Sequence, residues 1–184
     1  MSTRDALLIP EPSRLPEALR EPLEGVSLAA YLFVEAGRLD ALPLASLLGW
    51  LGVRESAFER AEERWSERVA DELTREGPPF DEVYEDLITR ALSLWSRSVT
   101  PLDHDVEAWM MFQRHALAAA DPGAMARRLG LTAGDEMRLA RSWRDRLRAP
   151  EIAARAVAAW TAPLSPLPAL SFSPIVFPPP LEPA

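Results

Sequence analysis

Apolar residues recur along most of the chain at intervals of three and four, and the breaks between runs carry glycine, proline or a capping residue. That pattern predicts a succession of helices. The first follows Ser27 and places Leu28, Tyr31, Leu32 and Leu39 on one face. Leu42 to Leu51 reads as a shorter second helix, with Pro43 in its first turn and Gly52 just past its end. The third runs from Glu55 to Thr74, where Phe58, Ala61, Trp65, Val69 and Leu73 form an apolar stripe opposite Glu and Arg. Gly77-Pro78-Pro79 ends it. Asp81 is expected to cap a helix carrying Val83, Leu87, Ala91 and Leu94 or Trp95, which stops before Thr100-Pro101 because the residue before proline resists the α conformation. Asp105 opens the next, from Val106 to about Ala120, and Asp121-Pro122 opens a short one to Leu129 and Gly130. Thr132 and Asp135 make a near capping box leading into Met137, Ala140, Trp143 and Leu147. After Pro150, a last helix is expected from Glu151 to Ala162.

The two ends depart from this pattern. Residues 1–24 carry Pro10, Pro12, Pro16 and Pro22 and predict a Pro-containing arm with one short turn of helix at Leu15 to Arg20. Residues 163–184 hold eight prolines in 22 positions and a single charge, Glu182. Proline at this density forbids helix and favours extended chain. Leu170, Phe172, Ile175, Val176 and Phe177 are nevertheless not the composition of a solvated tail. Two readings stay open: the tail wraps along a groove of its own helical body, or it docks on another chain with these five residues as the partner-binding anchors.

Laying residues 28–69 over residues 106–147 at a constant shift of 78 places Gly52 on Gly130, Trp65 on Trp143, Arg68 on Arg146 and Ala30 on Ala108. Apolar positions agree as well, among them Tyr31 with Trp109, Leu47 with Met125, Leu51 with Leu129 and Val69 with Leu147. Glycine and tryptophan are rarer than the apolar residues that periodicity alone would align, so the match reads as an internal duplication. The expected fold is therefore all-α: duplicated helical units, seven or eight helices in a compact bundle, flanked by extended Pro-rich arms. The expected divisions are the N-terminal arm at 1–24, a first repeat unit with its connecting helix at 25–100, a second unit at 101–162, and the apolar C-terminal tail at 163–184. Trp65, Trp95, Trp143 and Trp160 fall within stripes and are expected in the core, with Trp50 and Trp109 the candidates for partial exposure.

Each unit has an aromatic-bearing helix, a short helix ending in Leu51-Gly52-Val53 or Leu129-Gly130-Leu131, and a longer helix with Trp65 and Arg68 or Trp143 and Arg146 in a W-x-x-R spacing. This arrangement resembles duplicated helical repeats of myxobacterial proteins, some of them associated with type VI secretion. The resemblance covers residues 28–160 at most. It implies a binding role and supplies no catalytic residues.

Composition narrows the chemistry. The 184 residues suffice for one domain or two small ones, and the net charge of −8 opposes binding to phosphate backbones or anionic membranes. All 20 basic residues are Arg, and Lys, Cys and Asn are absent. Thiol nucleophiles, disulfides, thiolate–metal sites, lysine Schiff bases and P-loops drop out with them. Of two histidines, His104 lies in Asp103-His104-Asp105, which suggests either a metal site or a loop next to a helix cap, and His115 belongs to no motif. Glu59, Glu62, Glu63 and Glu67 interleave with Arg60, Arg64 and Arg68 as salt-bridged solvent faces do. No catalytic, cofactor or metal residue is assigned. Ala6-Leu7-Leu8-Ile9 is too short for a signal sequence and no run of about 18 apolar residues exists, so a cytoplasmic location without membrane insertion is expected. The functional expectation is a non-enzymatic adaptor or scaffold that binds a protein in a bacterial assembly, secretion-related if the resemblance holds. No nucleic-acid partner is expected, and homo-oligomerisation stays open. The alternatives are a cargo protein docked to a larger particle by its tail, and a small hydrolase or metalloenzyme using His104 or His115 with nearby carboxylates.

Overall fold

The computed structural model describes residues 8–9, 14–75, 80–95 and 97–176. These fall into two compact units, the first through Trp95 and the second from Arg97 to Val176. The fold is all-α: among the described residues there are eight α-helices and one two-stranded sheet. No helix among them is long and apolar enough to cross a membrane.

In the first unit, α1 (Leu28–Leu39) is the central element, buried on nearly every face, as a helix with so few polar residues must be. Ser27 caps it by accepting the Ala30 N–H. The short helix α2 (Leu44–Leu51) approaches α1 at Gly37, where a Cβ would come within 2.5 Å of Leu47. The long helix α3 (Glu55–Thr74) buries Phe58, Ala61, Trp65 and Val69, and α4 (Phe80–Leu92) packs chiefly on α1. Phe33 is clamped between Trp50, stacked at 4.6 Å, and Trp95, edge-on at 5.3 Å. The Trp95 indole N–H donates to buried Asp40 at 2.6 Å, which gives that carboxylate a partner.

The segment before α1 is part of this core. Leu8, Ile9, Leu15, Leu19, Leu23 and Val26 are all buried, around a 3₁₀ turn at Glu17–Leu19. The prolines interrupt helix there without preventing burial.

The second unit opens with β1 (Val99–Thr100) and a turn in which the Asp103 carboxylate accepts the Val99 N–H at 2.8 Å. Asp105 caps α5 (Val106–Ala118), Asp121 caps α6 (Pro122–Arg128), and Thr132 with Asp135 forms a complete capping box on α7 (Ala133–Arg146). The last helix is α8 (Pro150–Thr161), packed chiefly on α5. A strand β2 (Ser171–Phe172) pairs antiparallel with β1, Phe172 opposite Val99 and Ser171 opposite Thr100.

Within each unit the same three helices begin at 28, 44 and 55 and at 106, 122 and 133, each pair 78 apart. Gly52 and Gly130 take left-handed conformations, with φ of 69° and 83°, where an L side chain would be strained. The residue after each closes the helix end: Val53 N–H donates to Leu48 O, and Leu131 N–H to Ala126 O, at 3.1 and 3.0 Å. Trp65 and Trp143 are both buried, and each donates its indole N–H to a carbonyl of the segment entering its own unit's first helix, Val26 O at 3.0 Å and Leu102 O at 2.6 Å. Arg68 and Arg146 lie over the respective indoles at 5.8 and 4.0 Å and donate to carbonyls of the same entry segments, at Ala18 and Asp103. The register ends there, because the fourth helices start at 80 and 150, only 70 apart.

Trp65→Ala and Trp143→Ala should each lower the free energy of unfolding by about 3–5 kcal/mol, the range for large core truncations. Chemical denaturation followed by far-UV circular dichroism measures this, and a cost below about 1 kcal/mol at either site contradicts the equivalence.

Candidate functional site

The C-terminal segment returns along the second unit in extended form. Arg114, near the end of α5, donates to Ala159 O and Ala162 O at 3.1 and 2.7 Å and so ties α5 to the end of α8. His115 Nε2 then lies 2.9 Å from Ser165 O. Leu167 and Leu170 pack against the core around Val99, Leu102, Trp109 and Trp143. Beyond β2, Ser173 N–H donates to Ser98 O at 3.0 Å, and Ser98 N–H donates to the Ser173 hydroxyl at 2.8 Å. The segment thus runs from the last turn of α5 back to the strand that precedes its first.

Phe172 is held on two sides. The Arg97 guanidinium sits 4.5 Å from its ring centroid, and a Cβ on Gly130 would come 3.3 Å from its edge. Arg97 is itself fixed by the Gly130 carbonyl at 2.9 Å and by Asp135 at 3.4 Å. Asp135 is 1% exposed, and a carboxylate so buried needs partners: Arg138 at 2.7 Å and the Thr132 N–H at 3.0 Å complete its set.

The sequence-derived anchors therefore separate. Leu170 is half-buried and Phe172 pairs with β1, both against their own unit. Ile175 is half-buried, Val176 is 62% exposed, and Phe177 lies outside the described residues. His104 is exposed in the turn before α5, and His115 is engaged by Ser165 in its last turn. The helical stretch from Val106 to His115 alone spans about 14 Å, so the two imidazoles do not share a site. Among the described residues no three His, Asp or Glu side chains converge as a metal-binding group.

Two expectations about tryptophan are corrected. Trp160 is 43% exposed rather than in the core, whereas Trp50 and Trp109 are buried at 8% and 4%. Trp50 and Trp109 lie in aromatic stacks with Phe33 and Phe112, while α8 buries Ala156 and Ala159 and leaves Trp160 on its outer side. Trp160 belongs to a surface that periodicity did not reveal. Val157 is 65% exposed on the same helix, Leu164 51% just after it, and Leu117 73% at the end of α5. The bonds from Arg114 to Ala162 and from His115 to Ser165 bring Trp160 and Leu164 alongside the last turns of α5, and Val157 lies one helical turn before Trp160. The composition of α8 carried a signal: Glu151 and Arg155 are its only charges, too few for a helix with one face in water.

Nearer the start of α5, Arg155 makes a two-pronged pair with Glu107, at 2.9 and 2.8 Å, which crosses from α8 to the first turn of α5. The arginine, with a smaller contribution from the Asp105 side chain, lowers the Glu107 pKa from 4.5 to about 2. Comparison with protein-family models, with curated proteins and with solved structures found no match for this chain.

The Glu107 shift has a sign. A carboxylate whose folded pKa is depressed contributes stability that is fully present above the unfolded value and lost as pH falls through the folded one, here between about 4.5 and about 2. Carbon-detected NMR titration should find Glu107 near the lower value in the native chain and shifted upward, toward the ordinary carboxylate range, in Arg155→Gln. An unchanged Glu107 titration in the variant would contradict the pairing.

Proposed function

We propose that the chain is a non-enzymatic helical adaptor that holds a protein partner through the apolar end of its second unit. The observation that carries this reading is a contrast between two helices in the same structural role. Each is the fourth helix of its unit and packs on the first. The outer face of α4 presents Asp81, Glu82 and Glu85 to solvent, as a helix facing water should. The corresponding helix α8 instead exposes Ala154, Val157, Ala158 and Trp160, and Leu117 and Leu164 extend the same apolar end. Solvent alone gives no reason for this difference, whereas exposed apolar side chains along one helix are what a protein interface would cover, and tryptophan is a frequent anchor there.

The engagement of Leu170 and Phe172 with their own unit favours the α8 end over the tail as the primary docking surface. The resemblance of the W-x-x-R units to myxobacterial repeats makes a secretion-linked bacterial assembly the setting to examine first.

A photo-crosslinking residue placed at Val157 should capture a defined partner in cells, while one placed at Glu82 should not. Val157→Asp should weaken recovery of that partner by at least about tenfold, which corresponds to 1.4 kcal/mol, with thermal stability unchanged. Equal capture at Glu82, or full recovery by Val157→Asp, would exclude this surface.

A further inference from the structure

We propose that residues 165–173 are an exchangeable strap, and that the groove they fill in their own unit also takes the same segment of a second copy, giving a strand-exchanged dimer. The occupant of the groove is visible, so its chemistry is fixed. It is an extended, uncharged segment that pairs with β1, places a phenylalanine between Arg97 and Gly130, and exchanges two hydrogen bonds between Ser173 and Ser98. Every one of these contacts is supplied by the segment itself, and another copy supplies them identically. What differs is only whether the connection is within one chain or between two, which depends on chain concentration and on the connector.

The connector suits exchange. From Pro163 to Pro166 every residue is exposed, and its single side-chain hydrogen-bond contact to the body is His115 with Ser165. Pro163, Pro166 and Pro168 hold the backbone extended instead of folding it into a tight reversal. An extended connector leaving the end of α8 reaches outward as readily as it turns back, and moving it uncovers almost no apolar surface. The groove itself cannot stay open: Leu167 and Leu170 cover the core, and the β1 edge has backbone groups to satisfy. A released strap therefore has two equivalent grooves to fill, its own and another copy's, and the second gains as chain concentration rises. The inference is independent of which protein the apolar end of the unit holds, and exchange would place two such ends in one particle.

The chain contains no cysteine, so introduced thiols report the topology without background. Ser98→Cys and Ser173→Cys are made as separate single variants, mixed at high concentration, allowed to equilibrate and oxidised. Strap exchange predicts a mixed disulfide of about twice 20.4 kDa whose linked peptides join position 98 of one chain to position 173 of the other, with a share that rises with chain concentration. The double variant, which can close in either way, serves as the control. If it closes only within one chain and the mixture yields no 98–173 link at any concentration, exchange does not occur. Failure of the double variant to close at all would remove the premise that the strap lies on β1. Should either serine substitution disturb folding, the neighbouring pair Thr100→Cys and Ser171→Cys, which face each other in the same register, gives the same readout. A 98–173 link can fail to form while the Val157 crosslink succeeds, so the two proposals stand or fall separately.

Discussion

A buried indole N–H has to find an acceptor, and in both units of this chain it finds one in the segment that leads into the first helix. That requirement organises the rest. The Trp65 and Trp143 side chains fill the space between the third helix and its neighbours, while their nitrogens fix where the preceding backbone must pass. Arg68 and Arg146, one turn later, cover the rings and take further carbonyls from the same segments. A W-x-x-R spacing thus converts a helix face into a clamp on irregular chain. It explains how a segment as broken as residues 14–26 remains part of the core, since its apolar residues are pinned by bonds that do not depend on its being helical.

Much of this was legible because helix punctuation is local. Ser27, Asp105, Asp121 and Thr132 act as caps on the helices their positions predicted, and Gly52 and Gly130 adopt the left-handed turn that no other residue type takes so readily. The rarity of tryptophan and glycine made the duplication readable from four or five positions. The N-terminal segment was read as an arm because proline density reports on helix alone. Its Leu15, Leu19 and Leu23, four residues apart, carried the contrary signal of burial.

The candidate site was harder to read for a physical reason. Periodicity tells which residues of a helix share a face but not whether anything covers that face. Trp160 looks like a core residue in the sequence of α8 and is exposed, with Val157, because among the described residues no further element covers that side. The tail shows the complementary difficulty. Phe172 has the composition of an exposed anchor, yet Arg97, held by a carboxylate with almost no solvent contact, turns it into part of its own unit. A residue 75 positions away in sequence decides that outcome, and no local pattern contains it.

The sheet made by β1 and β2 is only two residues long on each side, and a strand pair of that size is marginal by itself in water. Its persistence follows from the state the segment leaves when it folds. Pro163, Pro166, Pro168 and Pro174 already restrict the unfolded strap to extended conformations, so ordering it forfeits less conformational entropy than ordering a chain of ordinary residues. A handful of contacts is then enough to hold it, where a flexible glycine- or serine-rich segment carrying the same Leu170 and Phe172 would need more.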